Sequence, residues 1–319
     1  MGDSVQRGDR ITSYLDEDGA ALITVLFIAA LAAIITVSLV VRQQIDIRRT
    51  ENVIHSDQAT LYAEGAADWG AIVLTRDLID GPVDSLGEEW AVGLQPTALN
   101  AGRISATIAD MQGRFNINNI VAANKDYRHF SQDQFTRMLE MCALSTDLLN
   151  ATIDWLDSDQ EITFPGGAED ETYMVLGTPY RTADTLMVSP SELRLVAGFD
   201  QEGYNCLAPY ISALPNETYL NVNTASAFVL AAASRNFSLM DAEDLLANRP
   251  LDGLNSVSSF FLEPTITATK FFNPFLTVSS DFFLATIHAE IGNGKVTMYT
   301  LFQRQKNQTS VIQKSFGVY

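Results

Sequence analysis

Ala20 to Val41 is a run of 22 residues without a charge, AALITVLFIAALAAIITVSLVV. At about 1.5 Å rise per residue a helix of that length spans about 30 Å, the thickness of a bilayer's hydrocarbon core. No Pro or Gly interrupts it. It is too long for the apolar region of an ordinary cleaved signal, and no A-x-A site with a clear break follows. The run therefore reads as a membrane span rather than a buried core helix. Helical spacing continues beyond it through Ile45, Ile47, Val53, Ala59, Leu61, Ala66, Trp69, Ile72 and Val73, with charged residues between. Gly81-Pro82 supplies a stop. The expectation is one helix of about 60 residues, about 90 Å long, its first third in lipid and its last third packed under a head. Arg7 and Arg10 precede the span and Arg42, Arg48 and Arg49 follow it, so the distribution of positive charge does not choose its orientation.

The rest of the 319 residues suffices for a head of one or two units, with enough apolar content to bury a core. A formal net charge of −19 opposes binding to nucleic acid or to an anionic membrane surface. It suits a soluble head, and it suits divalent cations wherever carboxylates cluster. Cys142 and Cys206 lie 64 residues apart. They are too few for a disulfide scaffold; one bridge in an oxidising compartment and two buried free thiols both remain open.

Within the head, Leu86 to Leu99 reads as a loop anchored by Trp90. Arg103 to Asp110 alternates as a strand, with Ile104, Ala106 and Ile108 on one face. Gly113 and the asparagines that follow suggest a tight turn. Ser131 to Leu149 has the stripe of an amphipathic helix, Phe135, Met138, Leu139, Cys142 and Leu148. Ala151 to Leu156 begins another, Ser189-Pro190-Ser191-Glu192 opens a third, and Asn223 caps a fourth over Thr224 to Ala233. After Pro264 the pattern returns to strands at Phe282 to Ile291, Lys295 to Arg304 and Thr309 to Val318, with a hairpin turn at Gly292-Asn293-Gly294. The early and late strands are expected to pair across the helical block.

Two resemblances add to this. Gly19 stands directly before the apolar run, behind a short hydrophilic leader, and so resembles a type IV prepilin signal. That class implies a membrane peptidase that cuts between Gly19 and Ala20 and methylates the new N-terminus, with the leader cytoplasmic and the head periplasmic. The leader departs from the class in reading Asp16-Glu17-Asp18 where Lys or Arg is usual. The fifth mature position is Thr24 rather than glutamate, and threonine cannot offset a neighbour's terminal ammonium inside a low-dielectric helical bundle. A subunit of this kind is expected at the filament tip. Further on, QGRFNINN, IDWLDSDQ, GGAEDETY, PYRTADTLMVSPSELRLVAG and YLNVNTASAFVLAA, in that order, resemble the K-type minor pseudopilins of type II secretion. This resemblance implies an α+β, pilin-like fold: a long N-terminal transmembrane helix, an antiparallel sheet and a large inserted α-helical domain. The corresponding divisions are residues 1–19 (leader), 20–41 (span), 42–80 (rest of the helix), 81–120 (first part of the head), 121–264 (inserted α-domain) and 265–319 (last strands). It implies assembly with I-type and J-type pseudopilins into a complex that initiates or caps the pseudopilus for export across the outer membrane. It also implies a single-pass location in the bacterial inner membrane, and no catalysis. The alternative from another class is a single-pass, calcium-dependent binding protein or receptor.

Asp154, Asp157, Asp159, Glu161, Glu169 and Asp170 crowd into seventeen residues, and Pro165-Gly166-Gly167 folds the chain back between them. Asp157-x-Asp159-x-Glu161 resembles the start of an EF-hand loop, but Ile162 stands where that loop needs glycine. On the residues alone, a calcium loop outside the EF-hand class and a solvated acidic loop are equally good readings. The family resemblance implies structural calcium, with Asp157, Asp159, Glu161, Glu169 and Asp170 as ligands. His55, His129 and His288 are scattered and the two cysteines lack ligand spacing, which argues against zinc. Leu220 to Ala225 resembles the opening of a helix-hairpin-helix DNA module, but no glycine turn follows and the net charge opposes DNA. Asn216, Asn236 and Asn307 head formal glycosylation triplets, which carry no meaning in a bacterial periplasm. No nucleophile motif or phosphate loop is present, and no substrate pocket is indicated around Asp157 and Asp159.

Overall fold

The computed structural model describes the backbone of residues 12–99, 102–267, 271–306 and 308–317, and side chains from Gly19 onward. The first eleven leader residues, the side chains of the acidic leader triplet, Asn307 and Val318 lie outside that description. The first element is helix α1 (Thr12–Asp80). It stops where expected, with the Gly81 N–H donating to the Asp77 carbonyl at 3.1 Å and Pro82 next in the chain.

The chain divides into two compact units, Met1–Gln58 and Ala59–Tyr319. In the first unit the large apolar side chains from Leu22 to Val41 are 43–69% exposed. Among the described residues, this is the one helix long and apolar enough to cross a membrane.

The second unit begins with the last turns of α1. After them come α2 (Glu89–Val92), β1 (Leu94–Leu99) and β2 (Gly102–Asp110). Then follow β3 (Phe115–Asn116), a 3-10 turn (Ile117–Val121), α3 (Lys125–Met141), α4 (Leu148–Leu156) and α5 (Asp170–Tyr173). A 3-10 helix (Pro190–Leu195) leads to α6 (Gln201–Leu207), β4 (Ile211–Ser212) and β5 (Leu220–Asn221). Next are α7 (Ala227–Ala232), α8 (Leu239–Asn248), α9 (Val257–Phe260) and β6 (Leu276–Thr277). The unit ends in β7 (Phe282–Ile291), β8 (Gly294–Gln305) and β9 (Gln308–Phe316). The architecture is α+β: a long helix, an antiparallel sheet and a largely helical block.

The described sheet is five-stranded, in the order β1-β2-β7-β8-β9. The pairing of early with late strands is that of β2 with β7, antiparallel, Ile104 opposite Ala289 and Ile108 opposite Ala285. All of the chain between Asp110 and Phe282 is thus carried between two adjacent strands. The sheet's buried face, Ile104, Ile108, Phe283, Ile287, Met298 and Phe302, packs against Ala59, Ala63, Ala66, Ala67, Val73 and Leu74 of α1. The helix meets the sheet mainly through small side chains. Leu61 and Ile72, counted in the apolar stripe from their spacing, are 66% and 60% exposed.

Several boundaries differ from expectation, each for a local reason. Leu86–Leu99 is not simply a loop: it holds α2 and the edge strand β1. Trp90 is its anchor, 1% exposed, with its ring edge-on to Phe283 at 5.1 Å. The helix expected over Ser131–Leu149 is two helices. Ala143 takes the left-handed conformation (φ 56°), and its N–H and that of Leu144 donate to the carbonyls of Glu140 and Leu139. That pair of bonds closes a helix end, and it usually uses glycine at the left-handed position. Ser189 does cap, in a reciprocal capping box with Glu192, but the helix it opens is 3-10 rather than α. Asn223 does not cap. Ser226 does, and the Asn223 side chain is buried, exchanging hydrogen bonds with the Leu254 backbone at 3.1 and 2.8 Å. The block also contains two short parallel strand pairs, β3 with β4 and β5 with β6.

A buried polar network ties these parts together. The Arg304 guanidinium donates to Asp77 of α1 at 2.7 Å, to both oxygens of Asp84, and to the Ser280 carbonyl at 2.7 Å. It also lies over the Phe283 ring at 4.5 Å. Burial pushes the Asp84 carboxyl up to about 7, with Arg304 opposing the rise. Beside it, Asp110 accepts from Asn221, Thr224 and Ser280 side chains and from the Gln112 N–H, so the end of β2 is joined to the β5 region of the helical block. Removing one partner of a buried ion pair strands the other, at a cost of about 3–5 kcal/mol. Arg304→Met is therefore expected to lower unfolding free energy by about that amount, read by denaturant titration. A loss below about 1 kcal/mol would show that the network is not a stabilising hub.

Candidate functional site

Helix α4 carries the acidic loop out of the core. Asp154, in its last turn, is fully buried, and its two carboxylate oxygens accept from the Thr163 N–H at 3.2 Å each. Asp157 is the C-cap, its N–H donating to the Ile153 carbonyl at 2.9 Å. The chain then turns back through Pro165-Gly166-Gly167. A Cβ at Gly167 would lie 2.2 Å from Asp154 Oδ2 and 2.3 Å from the Thr163 carbonyl oxygen, so only glycine allows this approach. The return places Glu169, extended just before α5, against the end of α4.

Asp157, Asp159 and Glu169 each offer a carboxylate oxygen, and these oxygens all lie within 4.8 Å of one another. Oxygens bound to one Ca²⁺ at about 2.4 Å can be no further apart than about 4.8 Å. Glu169 is 2% exposed, and neither of its carboxylate oxygens has a hydrogen-bond partner among the described residues. Asp157 Oδ1 is buried without a partner in the same way. A buried, unpaired carboxylate is costly unless it is neutralised or coordinated. Burial, and then the charges of Asp154, Asp157, Asp184 and Asp159, push the Glu169 carboxyl up to about 7. Burial, and then Asp159 and Asp154, push Asp157 up to about 6. An all-oxygen set with surplus negative charge fits a hard divalent cation such as Ca²⁺.

Not every residue expected at this site converges on it. Glu161 is exposed; its N–H donates to Asp159 Oδ1 at 2.9 Å. Asp170 turns away, accepting from the Thr182 N–H and hydroxyl at 3.1 Å each and pairing with Arg181 at 3.5 Å. The sequence reading missed Asp184, which contributes to the field at Asp157 and Glu169 and accepts from Gln160 Nε2 at 3.2 Å. It lies in the segment PYRTADTLMVSPSELRLVAG, which carries the family resemblance but no ligand spacing to the acidic loop. The set Asp77, Asp84 and Glu88 also comes close enough to hold an ion. Arg304 already fills it, and Glu88 accepts from Trp90 Nε1 at 2.6 Å.

Cys142 and Cys206 form a disulfide, with 6.0 Å between Cα atoms. It encloses the whole acidic excursion, and closing a loop of that length stabilises by about 4 kcal/mol. Gly19, Ala20 and Thr24 lie within the continuous helix α1. The Thr24 hydroxyl is turned onto its own helix, donating to the carbonyls of Ala20 and Ala21 at 3.1 and 2.8 Å. A Cβ at Gly19 would meet no atom within 4 Å, so packing here does not demand glycine.

The Glu169 carboxyl, ordinarily at 4.5, holds a proton up to about 7 in the folded, cation-free protein. A raised value stabilises the fold below the unfolded pKa, and that stabilisation is lost as pH climbs through the folded one. Without divalent cations, the wild type should lose more thermal stability than Glu169→Gln between about pH 5 and pH 8. Equally steep losses by calorimetry would refute this.

Comparison with known proteins places the chain as follows. Family models described as type II secretion system (T2SS), protein K, match residues 113–216 and 220–279. The type II secretion system protein K of Pseudomonas aeruginosa is 35% identical over 302 residues, covering 91% of this chain and 90% of that protein. The protein of the same name from Klebsiella pneumoniae is 34% identical over 316 residues, covering 94% and 97%. Among solved structures, a chain from the GspK-GspI-GspJ complex of the enterotoxigenic Escherichia coli type 2 secretion system superposes with a TM-score of 0.76 at 24% identity. The match covers 85% of this chain and 100% of that one, a likeness of fold.

Proposed function

The chain belongs to the type II secretion system protein K family, and on that footing we propose that it is the minor pseudopilin at the tip of the pseudopilus, where it initiates or caps assembly for export across the outer membrane. The observation that carries this is the N-terminal helix. Its apolar part is built to sit in a membrane, a glycine that packing does not require stands directly before the apolar run, and its fifth residue beyond that glycine is Thr24, whose hydroxyl bonds only its own helix among the described residues. A subunit that presents no carboxylate at that depth has nothing to offer the terminal ammonium of a subunit beneath it, which suits an end position. The partners are then I-type and J-type pseudopilins, as in the complex of the Escherichia coli relative. A prepilin peptidase removes residues 1–19, the span rests in the inner membrane, and the head faces the periplasm. No reaction is assigned to the chain.

The acidic site is proposed to hold calcium in a structural role, ligated by Asp157, Asp159 and Glu169. Bound there, the ion supplies the positive charge that the clustered carboxylates lack, and it holds the end of α4 against the start of α5.

N-terminal sequencing of protein purified from its native membrane tests the processing: the expected first residue is Ala20, and Gly19→Ala should leave the longer precursor. A chain that begins at Met1 would favour the anchored calcium-dependent receptor instead. Calcium at about 100 times its dissociation constant should stabilise the head by about 2.7 kcal/mol, raising its melting temperature. Glu169→Gln should lose most of that rise. A melting curve that chelator does not move would refute the metal assignment.

A further inference from the structure

We propose that the Cys142–Cys206 disulfide sets the cation affinity of the acidic site; this rests on the calcium assignment made above. The three converging carboxylates, with Asp154 and Asp184, all lie between the two cysteines in sequence. From Asp157 to Ser189 the chain forms no helix or strand except the four-residue α5. Its buried residues over that stretch are Ala168, Glu169, Tyr173, Thr182 and Met187, and the Glu169 carboxyl has no hydrogen-bond partner among the described residues. Such a segment buries little apolar surface to oppose the repulsion among its own carboxylates.

A continuous series of contacts joins this segment to the disulfide. Glu169 stands just before α5, and α5 ends in Tyr173, packed edge-on against Trp155 of α4 at 5.4 Å. The Tyr173 hydroxyl accepts from the Ala197 N–H at 3.0 Å. A few residues on, Asp200 caps α6, which carries Cys206. Cys142 is the C-cap of α3, and Leu144, in the turn after it, presses on α6, where a Cβ at Gly203 would lie 2.9 Å from its Cδ2. The disulfide thus holds α3 and α6 together at the base on which both halves of the cation site stand: α4, carrying Asp154 and Asp157, and α5 behind Glu169.

The physical consequence follows from population. A ligand set assembled for only a fraction of the time binds with its affinity reduced by that fraction. With the disulfide broken, α3 and α6 keep only their apolar packing, and carboxylate repulsion in the cation-free excursion meets less resistance. The disulfide therefore raises the fraction of molecules in which Asp157, Asp159 and Glu169 converge. Linkage makes the effect reciprocal: calcium must protect the disulfide by the same factor by which the disulfide strengthens calcium binding.

Calorimetric titration of calcium into the full chain in detergent, for wild type and for Cys142→Ser/Cys206→Ser, reads the coupling directly. The expected result is binding by the wild type and about tenfold weaker binding by the double variant. Equal affinity overturns the proposal while leaving the metal assignment intact. No binding by the oxidised wild type overturns the metal assignment, and the proposal with it. A double variant that does not fold is bypassed by a second measurement on the unaltered chain, equilibration of the disulfide in mixtures of reduced and oxidised dithiothreitol with and without calcium. Calcium should shift the equilibrium toward the disulfide in wild type and not in Glu169→Gln; an identical redox equilibrium of the wild type with and without calcium overturns the proposal.

Discussion

The guanidinium of Arg304 is where the second unit is joined. It sits on β8 with 2% of its residue surface exposed, and it reaches Asp77 near the end of α1, Asp84 in the segment that follows, and the Ser280 carbonyl at the entry to β7. Each carboxylate would be costly in that interior by itself, and the cation would be costly without them. Their mutual dependence fixes where the helix ends relative to the sheet. Ser280 then passes the connection on: its hydroxyl donates to Asp110, and Asp110 also accepts from Asn221 and Thr224. Asn221 and Thr224 of the segment NVNT thus fasten the helical block to the strands that carry it, while Asn223, which looks like a helix cap in the sequence, bonds the Leu254 backbone within the block.

The acidic site is built on the opposite logic. At the Arg304 network both oxygens of Asp84 and both of Asp110 accept hydrogen bonds, and Asp77 pairs with the guanidinium. At Asp157 and Glu169 buried oxygens have none among the described residues, and neighbouring carboxylates add negative charge. Buried polar groups in proteins are as a rule hydrogen-bonded, and a water or an ion is one way such a carboxylate is satisfied. The geometry around them is not accidental: Gly167 permits the close return of the chain, and Asp154 braces Thr163 with both its oxygens. One cluster of acids therefore holds the fold together from within, and the other has the geometry of the proposed cation site, although both look alike as groups of Asp and Glu.

Much of this was legible in the sequence, and the rest was not for identifiable reasons. The apolar run and the helix stop at Gly81-Pro82 are local signals, and so are the alternation of Arg103 to Asp110 and the Gly292-Asn293-Gly294 hairpin. The acidic loop was visible as a concentration of charge, and its turn was visible as Pro-Gly-Gly. Its membership was not. Asp170 and Glu161 sit as near in sequence as Glu169 does, yet Thr182 and Arg181 hold the first, and the second stays in solvent. Asp184 entered from a segment that no spacing rule would connect to the loop. The break after Met141 was invisible because an alanine, not a glycine, adopts the left-handed turn.

By itself, then, the sequence determined the periodic and the punctuated: which segment is apolar enough for a membrane, which stretches alternate and which turn, and how acidic the head is. These depend on neighbours within a few residues and survive without knowledge of the fold. The tertiary structure alone decided which face of α1 is covered, where alanines and not the larger Leu61 and Ile72 meet the sheet. It decided that Cys142 faces Cys206 across 64 residues of chain. It also decided which carboxylates converge. Each of these depends on where distant backbone segments come to rest, and a direction in space is something that local spacing along a chain does not encode.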